Sequence, residues 1–214
     1  MPFGYLGTTP NQQLKNSGVF SVAEALQVQK DGEWGGSLQL IADSDFTSSS
    51  GVEFTSIKEN LYDVHFVQLN QIYTSSTSGY PDTSQIRLRV SDDGGSSYKS
   101  GASDYQYAFQ FVKTDGSSGE RPDTANTDMI LSGRGTTTHP INTYFYLYNL
   151  GNSSKYSFQT MHNSIGSDTE MSFGGNVYPT ASTINAFKIF ATGFTITGNI
   201  KLFGVKQIWV TLDY

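Results

Sequence analysis

Cysteine is absent from this chain of 214 residues. Disulfides, thiolate nucleophiles and cysteine-bound metals are therefore excluded. Charge is also scarce: Asp, Glu, Lys and Arg make up 15% of the chain, against roughly 25% in an average globular protein. The 13 basic residues are scattered and the net charge is −6. Nucleic acid is not expected as a partner, because phosphate binding needs a clustered cationic patch. No apolar run approaches the roughly 20 residues that span a bilayer, so no membrane partner is expected either. The opening MPFGYLGTTPNQQLKNSG has no basic n-region and no apolar h-region, so no Sec leader is expected.

The chain is rich instead in aromatic residues, glycine and uncharged polar residues. Tyr and Phe number 13 and 14, and Gly 22. A surface built this way is polar without being charged, as in many secreted, extracellular and virion β-proteins. With no leader expected, release by lysis would fit such a surface, as for a virus, although composition alone favours a cytoplasmic protein. The length allows one all-β domain with a sizeable core, or two small ones.

Residues 1–18 show no periodicity and read as an extended arm. Ser21–Lys30, SVAEALQVQK, is the one helix candidate, with Ser21 and Glu24 placed as a capping box. After Trp34-Gly35-Gly36 the period changes to two. Strands are expected at 37–42, 52–57, 61–73, 85–91, 104–113, 127–132, 141–149, 155–162, 171–178, 183–191, 198–203 and 206–212. Turn clusters such as Asp92–Ser97 and Thr114–Thr124 separate them. This spacing predicts a sandwich or barrel. Near the end, Gly193, Gly198 and Gly204 read as turns or bends between short strands. The division is a 1–36 arm with a short helix and a 37–214 β domain.

Three strands alternate clearly. Ile86, Leu88 and Val90 oppose Gln85, Arg87 and Arg89. Tyr105, Tyr107, Phe109 and Phe111 oppose Gln106, Ala108 and Gln110. In 141–149, Ile141, Phe145 and Leu147 oppose Tyr144, Tyr146 and Tyr148, so both faces can be apolar. The tyrosine face suits a second packed layer first, then a subunit contact, then a sugar platform, since tyrosine is commoner in cores than in ligand sites.

Ser91-Asp92-Asp93-Gly94-Gly95-Ser96-Ser97-Tyr98 fits an Asp-box turn, S-x-D-x-G-x-[ST]-aromatic. Its carboxylate ties down turn amides and Gly95 supplies a positive φ. It is expected to close a hairpin between 85–91 and 104–113. Asp43-Ser44-Asp45 and Asp92-Asp93 offer hard oxygen ligands, but neither follows the EF-hand spacing, and capping turns is the commoner use of loop aspartates. His65, His139 and His162 have no zinc spacing. Glu53, Glu59, Glu120 and Glu170 supply carboxylates for a glycosidase pair, without a pattern that selects one. No nucleophile elbow or phosphate loop is present. No catalytic residue, cofactor or metal is therefore assigned.

Further segments carry a resemblance. They run from Gly4-Tyr5-Leu6-Gly7-Thr8-Thr9-Pro10 and Asn16-Ser17-Gly18-Val19-Phe20-Ser21-Val22, through Gly32-Glu33-Trp34-Gly35-Gly36-Ser37-Leu38, Phe54-Thr55-Ser56-Ile57-Lys58-Glu59 and Tyr62-Asp63-Val64-His65-Phe66. They continue with Val90-Ser91-Asp92-Asp93-Gly94-Gly95, Tyr146-Leu147-Tyr148-Asn149-Leu150-Gly151-Asn152-Ser153-Ser154 and the closing Ile200-Lys201-Leu202-Phe203-Gly204-Val205. In this order they resemble a family of short virion structural proteins of tailed phages, especially those infecting marine bacteria and cyanobacteria. The resemblance implies an antiparallel jelly-roll β-sandwich behind an N-terminal assembly arm. It implies a non-enzymatic tail, baseplate or fibre protein that forms homo-oligomers, trimers above all, and contacts other virion proteins. A glycan-binding receptor-recognition module and a capsid decoration protein are the alternatives. On that reading Tyr144, Tyr146 and Tyr148 are the candidate interface or glycan face, with a host-surface glycan as the further partner.

Overall fold

A computed structural model describes residues 38–77, 85–166 and 170–206, the side chains of 132–134 aside. The expected arm, the Ser21–Lys30 helix and all but the first residue of the 206–212 strand lie outside the described residues. What is described is all β.

The strands are β1 (Leu38–Ser49), β2 (Val52–Phe54), β3 (Val64–Thr74), β4 (Gln85–Ser91), β5 (Tyr105–Lys113) and β6 (Ser118–Asn126). They continue as β7 (Met129–Arg134), β8 (Ile141–Tyr148), β9 (Ser157–Ile165), β10 (Glu170–Tyr178), β11 (Ala186–Ala191) and β12 (Ile196–Val205). Period-two alternation dictates most of them, because a strand that buries one face must place every second side chain inward. Ile86, Leu88 and Val90 of β4 are fully buried, as are Ile141, Phe145 and Leu147 of β8.

Two antiparallel sheets form a sandwich-like fold. The larger has the order β1-β12-β3-β8-β9-β10-β5-β6 and the smaller β2-β11-β4-β7. Thus β1, β2, β3 and β4 neighbour β12, β11, β8 and β7 in turn. The remaining strands are two hairpins, β5–β6 and β9–β10, which carry the larger sheet past β8. One apolar cluster draws on both sheets, with Val67, Leu69, Phe145 and Leu202 from the larger and Leu88, Leu131, Phe187 and Ile189 from the smaller. The sheets are also tied by hydrogen bonds. The Asn176 amide on β10 pairs with Ile130 on β7, accepting from its N–H at 3.0 Å and donating to its carbonyl at 3.0 Å. The Tyr105 hydroxyl accepts from the Val90 amide and donates to the Lys99 carbonyl, both at 3.0 Å.

Several expectations are corrected. The 114–124 segment, expected as a turn, forms most of β6, because its backbone pairs with β5 from Val112↔Ser118 to Tyr105↔Asn126. The Asp box does not close a hairpin. β4 pairs with β11 and β7, whereas β5 belongs to the other sheet, so residues 92–104 cross between sheets. Gly193 does turn the chain, with φ 78°. Gly198 and Gly204 lie inside β12. Gly198 sits at a register shift against β3, with φ 153°. Gly204 makes room for an aromatic ring: a Cβ there would stand 2.4 Å from the Tyr62 ring.

Candidate functional site

The outer faces of the two sheets differ in kind. On the smaller sheet the outward residues are charged and paired. Lys188 lies 3.2 Å from Glu53. Arg87 bonds Asp128 at 2.9 Å, and Arg89 reaches the other oxygen of that carboxylate while covering the Phe190 ring. The larger sheet is aromatic at its centre.

The difference originates in the β9–β10 hairpin, which buries polar residues beside the inward Met161, Ile165 and Tyr178 and turns large apolar ones outward. Its inward residues include Ser157, Gln159, Asn163, Glu170, Ser172 and Asn176, all buried. Its outward residues include Phe158, Met171 and Phe173, exposed by 44%, 64% and 49%. Burying polar groups while exposing large apolar ones opposes the hydrophobic effect twice. Inside, both polar atoms of Asn163 and the Ser172 hydroxyl are buried without a hydrogen-bond partner among the described residues. Rules of local consistency break in this way at functional sites.

The outward aromatic residues form a row across five strands. Register aligns Phe203 of β12 with Phe66 of β3, and Phe66 with Tyr146 of β8. It then aligns Tyr144 with His162 of β9, and His162 with Phe173 of β10. Ring centroids are 5.9 Å apart for Phe203 and Phe66, and 5.0 Å for Phe66 and Tyr146. Tyr144 and His162 stack at 5.3 Å with planes 6° apart, and His162 and Phe173 at 6.2 Å. These distances follow from the spacing of neighbouring strands, about 4.8 Å. Beside the row lies a shallow depression of about 490 Å³, bordered by Phe66, Tyr144, His162, Met171 and Phe173. Its other outward groups are the amides and hydroxyl of Gln68, Asn70, Asn142 and Ser164. No Asp, Glu, Lys or Arg is among the described residues that line it. A second depression of about 320 Å³ continues past Phe173 to Gln110 and Glu120.

Tyr144, Tyr146 and Tyr148 therefore share the outer face of the larger sheet. Tyr144 is 42% exposed, so no second layer among the described residues covers it. Tyr146 stacks on Tyr148 at 6.2 Å, and the Tyr148 hydroxyl lies 3.1 Å from that of Thr160. Sequence reasoning found these three and missed Phe66, His162, Met171 and Phe173. The signal was present as strict alternation in 157–165. It was unreadable because the inward set mixes Ser157, Gln159 and Asn163 with Met161 and Ile165, so neither face stands out as apolar.

The other candidates have structural partners. Asp93 accepts from the Ser97 amide at 2.9 Å and from the Ser91 and Ser97 hydroxyls. These bonds, those to Ser97 first, bring its carboxyl down to about 2. Gly94 and Gly95 take the positive φ values, 73° and 91°, that the turn requires. Asp92 pairs with Lys99 at 2.7 Å. Asp43 and Asp45 both accept from the Asn199 amide, and Lys201 lies 3.2 Å from Asp43. The described residues contain no group of three His, Cys, Asp or Glu side chains that could hold a metal ion. His65 is buried with Nε2 2.8 Å from the Ile57 carbonyl, and desolvation holds its pKa below the ordinary value. His139 contacts the Thr136 and Thr138 hydroxyls. Glu53, Glu120 and Glu170 face Lys188, Gln110 and Lys113 respectively.

No protein-family profile matches the chain, and comparison with curated proteins finds no significant relative.

Proposed function

We propose that the chain is a non-enzymatic structural protein of a tailed-phage particle, a tail, baseplate or fibre component. It is built as a jelly roll and works by contact through the outer face of its larger sheet. The β9–β10 hairpin carries this reading: apolar residues kept outward at the expense of the interior mark a surface made for a partner. The strand order supports the jelly roll. Successive neighbouring of β1–β4 with β12, β11, β8 and β7 is the order of one long ribbon wound into two Greek keys. The virion assignment rests on the sequence resemblance, which also favours a homo-oligomer, trimeric above all. The reading includes no catalytic step, and Asp93, Glu53, Glu120, Glu170, His65 and His139 have the structural partners given above.

The test has two parts. Mass spectrometry of purified particles from marine phage lysates should contain the chain, and mass photometry of the purified protein should show a homo-oligomer. A triple variant, Tyr144→Ser/His162→Ser/Phe173→Ser, should fold yet lose self-association or adhesion to host cells. A folded variant that assembles and adheres as wild type does would overturn the contact reading. Release of reducing ends from host polysaccharide by the wild type would overturn the non-enzymatic one.

A further inference from the structure

We propose that the occupant of this face is an uncharged polysaccharide chain, lying across the strands along the row from Phe66 to Phe173. The inference rests on the contact-face reading and names its ligand. Three observations select the occupant. The first is the arrangement of surface chemistry. Aromatic rings and Met171 supply an apolar track, and amides and a hydroxyl border it. A pyranose has the complementary form, with a C–H face that stacks on an aromatic ring and a rim of hydroxyls that exchange hydrogen bonds with amides.

The second observation is charge. The depression is lined without Asp, Glu, Lys or Arg. The nearest charged groups in register with Tyr144 already have partners: Lys201 with Asp43 at one end, and Glu120 with Gln110 at the other. An acidic polymer would find no cation in the first depression, and the one cation bordering the second, Arg121, is stacked on Phe111, so it would lose its hydration without compensation.

The third is direction. Tyr144, His162 and Phe173 follow one another in register on β8, β9 and β10. The depressions on the two sides of Phe173 extend the track towards β6. An extended chain laid across the strands meets successive rings. A flat protein surface would instead cover Gln68 and Ser164, whose side chains have no hydrogen-bond partner among the described residues. Burying those groups unpaired disfavours a second copy as the occupant.

The experiment is affinity electrophoresis of the full chain in native gels cast with laminarin, xyloglucan, galactomannan, alginate or hyaluronan. At least one of the three neutral polymers should retard the protein, and the two acidic ones should not. Tyr144→Ala and Phe173→Ala, two strands apart, should each weaken retardation about tenfold, the loss expected from one stacking partner. Lys188→Ala, on the opposite sheet, should leave it unchanged. Circular dichroism checks that every variant folds. Retardation only by acidic gels, or by none, overturns the proposal, and so does neutral binding that ignores either aromatic substitution. If neutral gels have no effect while both variants still lose adhesion or self-association, the contact face stands with a different occupant. If those properties are also unchanged, both readings fall.

Discussion

Asp93 holds a turn together with one carboxylate. It accepts the Ser97 amide and two hydroxyls, and these bonds favour its ionised form, so its pKa falls from 3.8 to about 2. The unfolded chain therefore binds a proton at a higher pH than the folded one. The resulting stabilisation is fully present above the ordinary value and is lost as pH falls through the folded value. Asp93→Asn should lower the thermal midpoint at neutral pH, and its deficit against wild type should shrink between pH 4 and 2. A deficit constant across that range would show that the carboxylate charge is irrelevant to the turn. Adding calcium should not shift the wild-type midpoint, since serine and backbone groups already occupy the oxygens.

At the scale of elements, Gly204 and Tyr62 form a unit. The ring lies where a side chain of β12 would project, and a Cβ at Gly204 would meet three ring atoms at 2.4 to 2.5 Å. Gly204→Ala should cost about 1–3 kcal/mol, the range for overpacking. In a Tyr62→Ala background the same change should cost much less, because contacting residues are not additive. Urea titration of the four proteins measures this coupling, and additive costs would refute the pairing. The same scale explains what was legible in the sequence. β4, β5 and β8 were readable because Ile86, Leu88, Val90, Tyr105, Phe109, Ile141, Phe145 and Leu147 are apolar and face inward. β6 was not. Its SGERPDTAN has the composition of a loop, and it is a strand because β5 supplies the pairing and Arg121 stacks on Phe111 at 4.8 Å. It is the edge strand of the larger sheet, where Pro122 withholds no ladder bond that matters. β9 and β10 were placed, but not their faces, since Ser157, Gln159 and Asn163 point where hydrophobic residues are expected. Of the site, only the β8 tyrosines could be named, because Phe66 and Phe203 join through register from strands distant in sequence, and His162 and Phe173 sit on strands whose outward faces are not marked by composition.

For the whole molecule, the contrast between the two outer faces predicts how substitutions divide between stability and function. Tyr144 and Phe145 are neighbours in sequence on opposite faces of β8, one 42% exposed and one fully buried. Phe145→Ser should cost about 3–5 kcal/mol, as truncation of a core aromatic does. Tyr144→Ser and Phe173→Ser should each cost only about 0.5–1.5 kcal/mol, the worth of a ring contact. Chemical denaturation compares them directly, and equal losses at the two β8 positions would contradict the assignment of faces. Two of the six rings in the row, His162 and Phe173, belong to a hairpin that leaves the chain after β8 and returns before β11. Its sequence can diverge, lengthen or be exchanged between related chains while the eight strands from β1–β4, β7, β8, β11 and β12 keep their neighbours. On the contact-face proposal, changes at the hairpin's outward positions alter the surface while its inward Met161, Ile165 and Asn176 keep their places between the sheets.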